Sequence, residues 1–507
     1  MIVPFLKRLF FIKKAPWSER HFLIVLITGA ILAALVSLAI GLHQSVWFDE
    51  AYSIFLAKQP VSDLIHLTSI DGHPPFYYLL LKAWAAVFGF SEVALRSLSV
   101  ILMGGAIIVA GLLAKRMFGV RAALLTLPLL IVAPFMLRYG FEIRMYALAA
   151  LIGITATYVL VVARQTKDSR QSWLLYAAYA ALVALGVYTL YYTALLWIAH
   201  VVWLVWLAIK ERQSPLKARW PEALVASVIL FIPWLPIFLS QLSNGALSPV
   251  VKILNLEQLI GIVTFNFLYQ PAWQLGVVAS FVIVLVIGTL IYFAVKAFKY
   301  ASIHEREYLV LMGLYVLVPI LVLMAVSLSK PMYLERYLAH VIIGGLAFIG
   351  AAIALTLAHH KSIRSWLAAG VVFAVMIAGA IHLMQIGNYN FQRSQLPSTK
   401  YAAEVVRGDC SDDSLIVAKD PYVAIELLYY LPNCQVYFFS ETAELSGGYA
   451  PVSNSPLHVV TPNDLIGLTQ RVYYIYDGEP DADFSGRFHE LSDQMFDNLH
   501  VREFSVE

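Results

Sequence analysis

Two stretches early in the chain bring together residue types that can move a proton and meet a charged group. Trp47-Phe48-Asp49-Glu50-Ala51-Tyr52 sets two adjacent carboxylates just past a long apolar run over roughly 21–42. Asp71-Gly72-His73-Pro74-Pro75-Phe76-Tyr77-Tyr78 then adds a third carboxylate, a histidine and two prolines before the next apolar stretch. Further along, Arg138, Tyr139, Glu142, Arg144 and Tyr146 share one turn, Tyr188, Tyr191 and Tyr192 another, and Lys330, Tyr333, Glu335, Arg336 and Tyr337 a third. A carboxylate can take the proton of an attacking hydroxyl as general base. Arginine and lysine can hold a phosphate and stabilise its charge as it leaves. Outside a cell membrane there is no nucleotide-sugar or ATP pool, so an activated group arrives there on a lipid phosphate. The set therefore points to sugar transfer from a polyprenyl-phosphate carrier to an acceptor hydroxyl.

The elements that must position these groups follow from composition. Of 507 residues, 60% are hydrophobic and only 13% charged, whereas average soluble domains carry about a quarter charged residues. Apolar runs long enough to cross a bilayer fall at 22–42, 96–114, 121–137, 141–163, 173–188, 190–209, 221–240, 273–297, 308–328, 335–357 and 365–386. With the shorter stretches 77–90 and 257–268, the expected fold is an all-α polytopic bundle of about 11–13 transmembrane helices. Ionisable groups are too costly in hydrocarbon to be incidental, so acids and arginines gathered at one membrane edge read as a site.

Loop charges orient the bundle. With the N-terminus cytoplasmic, Lys7, Arg8, Lys13, Lys14 and Arg20 lie inside, and alternation puts basic turns at Lys115-Arg116-Arg121, Arg164-Lys167-Arg170, Lys210-Arg212-Lys217-Arg219, Lys296-Lys299-Arg306 and Lys361-Arg364 on the same side. The opposite loops are poor in lysine and arginine, as the positive-inside rule requires. The first outer loop, 43–95, then carries the acids, and 387–507 is extracytoplasmic as well. The first apolar run reads as a retained helix, being long and without a small-x-small cleavage site. The expected location is a bacterial inner or plasma membrane. The net charge of +3 comes from the inside loops and gives no reason to expect a nucleic-acid partner.

Two domains are expected: a membrane domain over 1–386 and a small α/β domain over 387–507. In the second, β-rich runs at 414–418, 435–439 and 471–476, with a helical stretch at 422–431, suggest a βαβ unit. Cys410 and Cys434, the only two cysteines, precede the first two of those strands. A disulfide fits if the strands are parallel neighbours in an oxidising compartment; two unpaired thiols are the alternative.

Trp47-Phe48-Asp49-Glu50, Asp71-Gly72-His73-Pro74-Pro75-Phe76-Tyr77-Tyr78, Leu95-Arg96-Ser97, Glu142-Ile143-Arg144-Met145-Tyr146-Ala147-Leu148 and Pro331-Met332-Tyr333-Leu334-Glu335-Arg336-Tyr337-Leu338 form an ordered set. Together they resemble bacterial members of the protein-mannosyltransferase-like C-type (GT-C) glycosyltransferases, family 39-like, a group that includes protein O-mannosyltransferases and the aminoarabinose transferase of lipid A. The resemblance covers the membrane portion, about residues 20–386, and implies the GT-C fold. It implies that Asp49 is the catalytic base and that Glu50 helps place the acceptor or the base. Asp71 shapes the same site with His73 alongside. Arg144 and Arg336 match positions suited to the carrier phosphate, with Tyr337 in the same motif. Glu142 and Lys330 complete the expected substrate-binding set. Such enzymes invert the anomeric centre in one displacement and often need no metal, so no cofactor is expected. The partners implied are a polyprenyl-phosphate sugar donor, a lipid, glycan or protein acceptor, and membrane lipids. Tyr77-Tyr78 replaces the Gly-Lys-like pair of the eukaryotic protein mannosyltransferases, and no β-trefoil insertion is present.

Plainer readings stand beside these. Adjacent acids are favoured at any helix N-terminus, His73-Pro74-Pro75 suits a helix start, Glu142 and Arg144 can pair with each other, and Arg336 can reach lipid headgroups. The tyrosines at 188–192 fit an interfacial belt. At the level of function, protein O-mannosyl transfer is the alternative within the class. A lipid or sugar transporter, or an inactive assembly subunit, is the alternative outside it.

Overall fold

The computed structural model describes residues 18–212, 214, 219–243, 256–271, 274–386, 398–410, 414–441, 445, 457–480, 482–496 and 499–507. Lys7, Arg8, Lys13, Lys14 and Lys217, read above as cytoplasmic, lie outside them.

In chain order the first helices are α1 (Glu19–Leu42), α2 (Phe48–Lys58), α3 (Val61–Ile70), α4 (Phe76–Phe88), α5 (Glu92–Phe118), α6 (Val120–Val132) and α7 (Pro134–Phe141). There follow α8 (Tyr146–Gln165), α9 (Ser169–Thr189), α10 (Ala194–Lys210), α11 (Trp220–Phe231), α12 (Leu235–Ser243), α13 (Leu256–Phe267), α14 (Val277–Tyr300), α15 (Ile303–Ser327), α16 (Ala339–His359) and α17 (Ile363–Gln385). Among the described residues ten spans are long and apolar enough to cross a membrane, and α6 with α7, bent by 63°, makes an eleventh. The eleven apolar runs of the sequence each meet one of these, and the chain is a multi-pass membrane protein. The upper count of thirteen is not reached among the described residues. Residues 77–90 form only the 13-residue α4 and 257–268 only the 12-residue α13, about 20 and 18 Å long at 1.5 Å per residue, too short for a bilayer core of about 30 Å.

The α6–α7 bend has a local cause. Pro134 has no N–H to donate into the preceding turn, and the residue before a proline avoids the helical region; Ala133 accordingly sits at φ −63°, ψ 113°.

The chain divides into two compact units. One comprises residues 1–40, 99–236 and 250–385; the other comprises 41–98, 237–249 and 386–507. The first is the helical bundle. On α14, Ile283, Val286, Phe293 and Ala297 are buried, whereas Val277, Val278, Phe281 and Val284 are more than 60% exposed, as expected of a helix with one flank toward lipid. Close helix approach rests on small residues: a Cβ on Gly350 of α16 would collide with the Thr126 backbone of α6.

The second unit holds α2, α3, α4, the start of α5, and the C-terminal elements α18 (Thr399–Val406), β1 (Ser414–Ala418), α19 (Pro421–Tyr430), β2 (Val436–Phe439), β3 (His458–Val459), β4 (Arg471–Asp477), β5 (Phe488–Phe496) and β6 (Leu499–Val506). The sheet order is β3-β2-β1-β4-β6-β5. β1 runs parallel to β2 and β4, β2 parallel to β3, and β6 antiparallel to β4 and β5. The expected βαβ unit is β1-α19-β2. Asp420 starts α19 by accepting the Val423 N–H at 2.9 Å, with Pro421 in the first turn. Cys410 and Cys434 are disulfide-bonded, Cα–Cα 5.2 Å. The acid-bearing residues 43–95, grouped with the membrane domain in the sequence reading, cluster with the C-terminal residues instead.

Candidate active site

Asp49 and Glu50 occupy the first turn of α2, where the helix dipole favours negative charge. Their surroundings differ. Glu50 is fully buried, and the Arg96 guanidinium, also fully buried, donates to it through Nη2 at 2.8 Å and Nε at 3.3 Å. The same guanidinium donates to the carbonyls of Gly41 (2.5 Å), Gln44 (3.1 Å) and Ser45 (3.3 Å), tying the end of α1, the 43–47 link and α2 together. Asp49, by contrast, is only partly buried.

Asp71 follows α3 and is 6% exposed, its carboxylate 3.3 Å from His73 Nδ1. Burial alone would raise the Asp71 carboxyl. His73, by hydrogen bond and charge, together with the Gly72 N–H and the Tyr52 hydroxyl, brings it below the ordinary carboxylate value. The Gln241 amide fixes this corner by donating to the carbonyls of Thr68 (2.9 Å), Ser69 (3.2 Å) and Asp71. Lys82 is spent on the carbonyls of Ala57 and Gln59 at the end of α2.

The C-terminal domain supports the acid-bearing helix directly. Tyr422 of α19 packs edge-on against Phe48, ring centroids 4.2 Å apart. The Tyr430 hydroxyl accepts the Val46 N–H at 2.6 Å and donates to Glu92 at 3.2 Å. Ser45 Oγ accepts the Lys400 N–H.

In the bundle, Glu142 is fully buried, its carboxylate 3.1 Å from the Arg138 guanidinium. Arg144 is 3% exposed, in the tight turn between α7 and α8 closed by its own N–H donating to the Glu142 carbonyl at 2.7 Å. Arg336 and Tyr337 lie on a 3-10 turn, Glu335–Leu338. Tyr337 stacks on Tyr192 at 4.3 Å, and the Tyr192 hydroxyl donates to the Met332 carbonyl. This pair, read above as interfacial belt on the Tyr192 side, thus braces the turn that carries Arg336. Lys330 is exposed.

Three contributors carried no assigned role in the sequence reading. Arg96 lies in the Leu95-Arg96-Ser97 motif, but apart from Glu92 one turn before it its partners are Gly41, Gln44, Ser45 and Glu50, at separations no local spacing announces. The same holds for Gln241. Tyr333 is 1% exposed and its hydroxyl meets no partner among the described residues. Burial and the Glu335 charge hold that hydroxyl well above the ordinary tyrosine value, so it stays a hydrogen-bond donor at any working pH.

Residues 72–237 match the family model described as dolichyl-phosphate-mannose-protein mannosyltransferase. The chain is similar in structure to ArnT from Cupriavidus metallidurans bound to undecaprenyl phosphate, with TM-score 0.62 and 15% identity over 96% of this chain and 99% of that one. It is similarly close to ArnT from the same organism in the apo state, with TM-score 0.61 and 15% identity over 97% and 99%. An Archaeoglobus fulgidus oligosaccharyltransferase tethered to an acceptor peptide matches with TM-score 0.51 and 12% identity over 91% and 70%. No curated relative matches the chain.

Proposed function

We propose that this chain, which has the C-type glycosyltransferase fold, moves a sugar from a polyprenyl-phosphate donor to an acceptor hydroxyl at the outer face of the membrane, inverting the anomeric centre. The observation that carries the assignment of the base is the different fate of two neighbouring acids. Glu50 is fully buried on the Arg96 guanidinium, whereas Asp49, beside it in the first turn of α2, is only partly buried. Asp49 accepts the hydroxyl proton as the acceptor oxygen attacks the anomeric carbon. The bond from that carbon to the phosphate oxygen breaks on the opposite face, and its electron pair stays on the carrier phosphate. Arg144 and Arg336 meet the phosphate charge, Tyr337 and Lys330 belong to the same binding set, and Glu142 with Arg138 holds the turn that presents Arg144. Asp71 and His73 shape the acid side. No metal is required in this scheme, so chelation with EDTA is expected to leave turnover unchanged. The lipid-linked donor is supported by the relative bound to undecaprenyl phosphate, and the outer location by the loop charges.

Purified protein in lipid discs, given a panel of radiolabelled polyprenyl-phosphate sugars and a membrane-lipid extract, tests this. Release of carrier phosphate that falls about 10²–10⁴-fold in Asp49→Asn supports it, the usual contribution of a positioned general base. Near-normal release in folded Asp49→Asn sinks it. The family match over 72–237 favours one second reading, transfer of mannose to protein hydroxyls. Labelled Ser/Thr peptides in the same assay separate the two.

A further inference from the structure

The acid-bearing unit also contains a cleft of about 850 Å³ that the proposed chemistry does not use. Three cations from two separate segments line it: Lys58 at the end of α2, and Lys400 in α18 with Arg407 just after it. The one carboxylate in its wall, Glu92, is already engaged by Arg96 (3.3 Å), Lys400 (3.5 Å) and the Tyr430 hydroxyl (3.2 Å). The walls are therefore net positive. Phe90 and Tyr429 add aromatic surface, closed on one side by the Tyr429 hydroxyl donating to the Phe90 carbonyl at 3.1 Å. Lys58 sits 5.6 Å from the Phe90 ring, and desolvation lowers the pKa of its amine, a cost that a bound anion relieves.

Apolar surface adjoins it in sequence. Val93 in the cleft wall is 50% exposed, and Val87 and Phe88, just before the cleft-lining Phe90, are 75% and 56% exposed. Isolated exposed apolar residues are ordinary, but three within seven positions beside a cationic cleft match an amphiphile with a charged head and a greasy body. We propose that this cleft binds the phosphate-bearing headgroup of an anionic membrane lipid. The site is separate in its residues from the proposed donor-phosphate pair, Arg144 and Arg336, and does not depend on the donor reading.

The test uses the full chain in detergent, with binding of dioctanoyl phosphatidylglycerol, dioctanoyl phosphatidylcholine and inorganic phosphate measured by native mass spectrometry and competition. Phosphatidylglycerol is expected to bind at least about ten-fold more tightly than phosphatidylcholine. Lys58→Gln/Arg407→Gln, at exposed positions, is expected to lose about ten-fold or more of the phosphatidylglycerol affinity alone. Binding should survive Arg144→Gln/Arg336→Gln, in which donor turnover is lost, so failure of the two ideas can be told apart. Equal binding of both lipids, or full phosphatidylglycerol affinity in the Lys58/Arg407 variant, overturns the proposal. Displacement by inorganic phosphate at concentrations matching the lipid overturns the lipid assignment in favour of a soluble anion. Should the double variant fold poorly, wild-type binding between about 50 and 500 mM salt decides: a weakening of several-fold is expected, and salt-independent binding is fatal.

Discussion

Asp49 and Glu50 are neighbours in sequence and opposites in environment, so the same substitution should fail for different reasons. Glu50→Gln removes the nearer of two carboxylates from the buried Arg96, leaving Glu92 at 3.3 Å, and breaking a buried pair from one side costs up to about 3–5 kcal/mol. It should therefore lower thermal stability, whereas Asp49→Asn should melt near wild type and lose turnover. Equal melting of the two variants would contradict this division of roles. For Asp71 the folded carboxyl lies below its ordinary value. Its contribution to stability is thus full above about pH 4 and is lost as pH falls through the ordinary value toward the folded one. Melts at about pH 5 and pH 3.5 should differ more for wild type than for Asp71→Asn; an equal difference would show that Asp71 carries no such linkage. Tyr333, a buried donor without a partner among the described residues, is suited to a donor-substrate contact. Tyr333→Phe should raise KM for the polyprenyl-phosphate sugar by roughly 10–150-fold, the size of a lost hydrogen bond to a charged group, with little change in melting. An unchanged KM would leave the hydroxyl without a substrate role.

At the scale of elements, α2 is short, and its buried first turn is held mainly by what packs on it. Eleven residues are below the length at which an isolated helix holds in water. Its supports are the Arg96 guanidinium at one turn, Lys82 at its end, and α19 from the C-terminal domain. Tyr430→Phe deletes two hydrogen bonds of that seam and should cost about 1–3 kcal/mol. The loss should show as lower kcat with KM little changed, because positioning of Asp49 is what suffers. The Cys410–Cys434 disulfide closes a 24-residue separation across the α18–β1 and α19–β2 connections. Cys410→Ser/Cys434→Ser should lower stability by about 3 kcal/mol, read as a fall in the melting temperature of the C-terminal domain under non-reducing conditions.

At the scale of the molecule, the C-terminal domain acts on the acid side through α19 and not only as an appendage. Removing residues 398–507 should lower turnover at saturating acceptor, whereas a domain serving only to capture acceptor would change acceptor KM and leave kcat intact. The measurement is steady-state kinetics on the truncated chain in lipid discs, with the melting of the bundle as the control for folding.

Membrane spans, loop charges and the strands at 414–418 and 471–476 were legible in the sequence because each is a local signal. Span length is set by bilayer thickness, orientation by lysine and arginine near span ends, and strands by short β-branched and aromatic runs. Candidate acids and arginines were legible too, since ionisable groups at a membrane edge stand out against an apolar background. Strands β5 and β6 were not: β5 is largely polar and exposed and takes strand form by pairing with β6, which in turn pairs with β4. The separation of roles between Asp49 and Glu50 could be decided only in three dimensions. It depends on a guanidinium 46 positions away and on a helix more than 370 residues downstream, packed against the turn that carries both acids. Contacts of that separation leave no periodic trace, so tertiary structure alone set Glu50 fully buried on Arg96 and left Asp49 only partly buried.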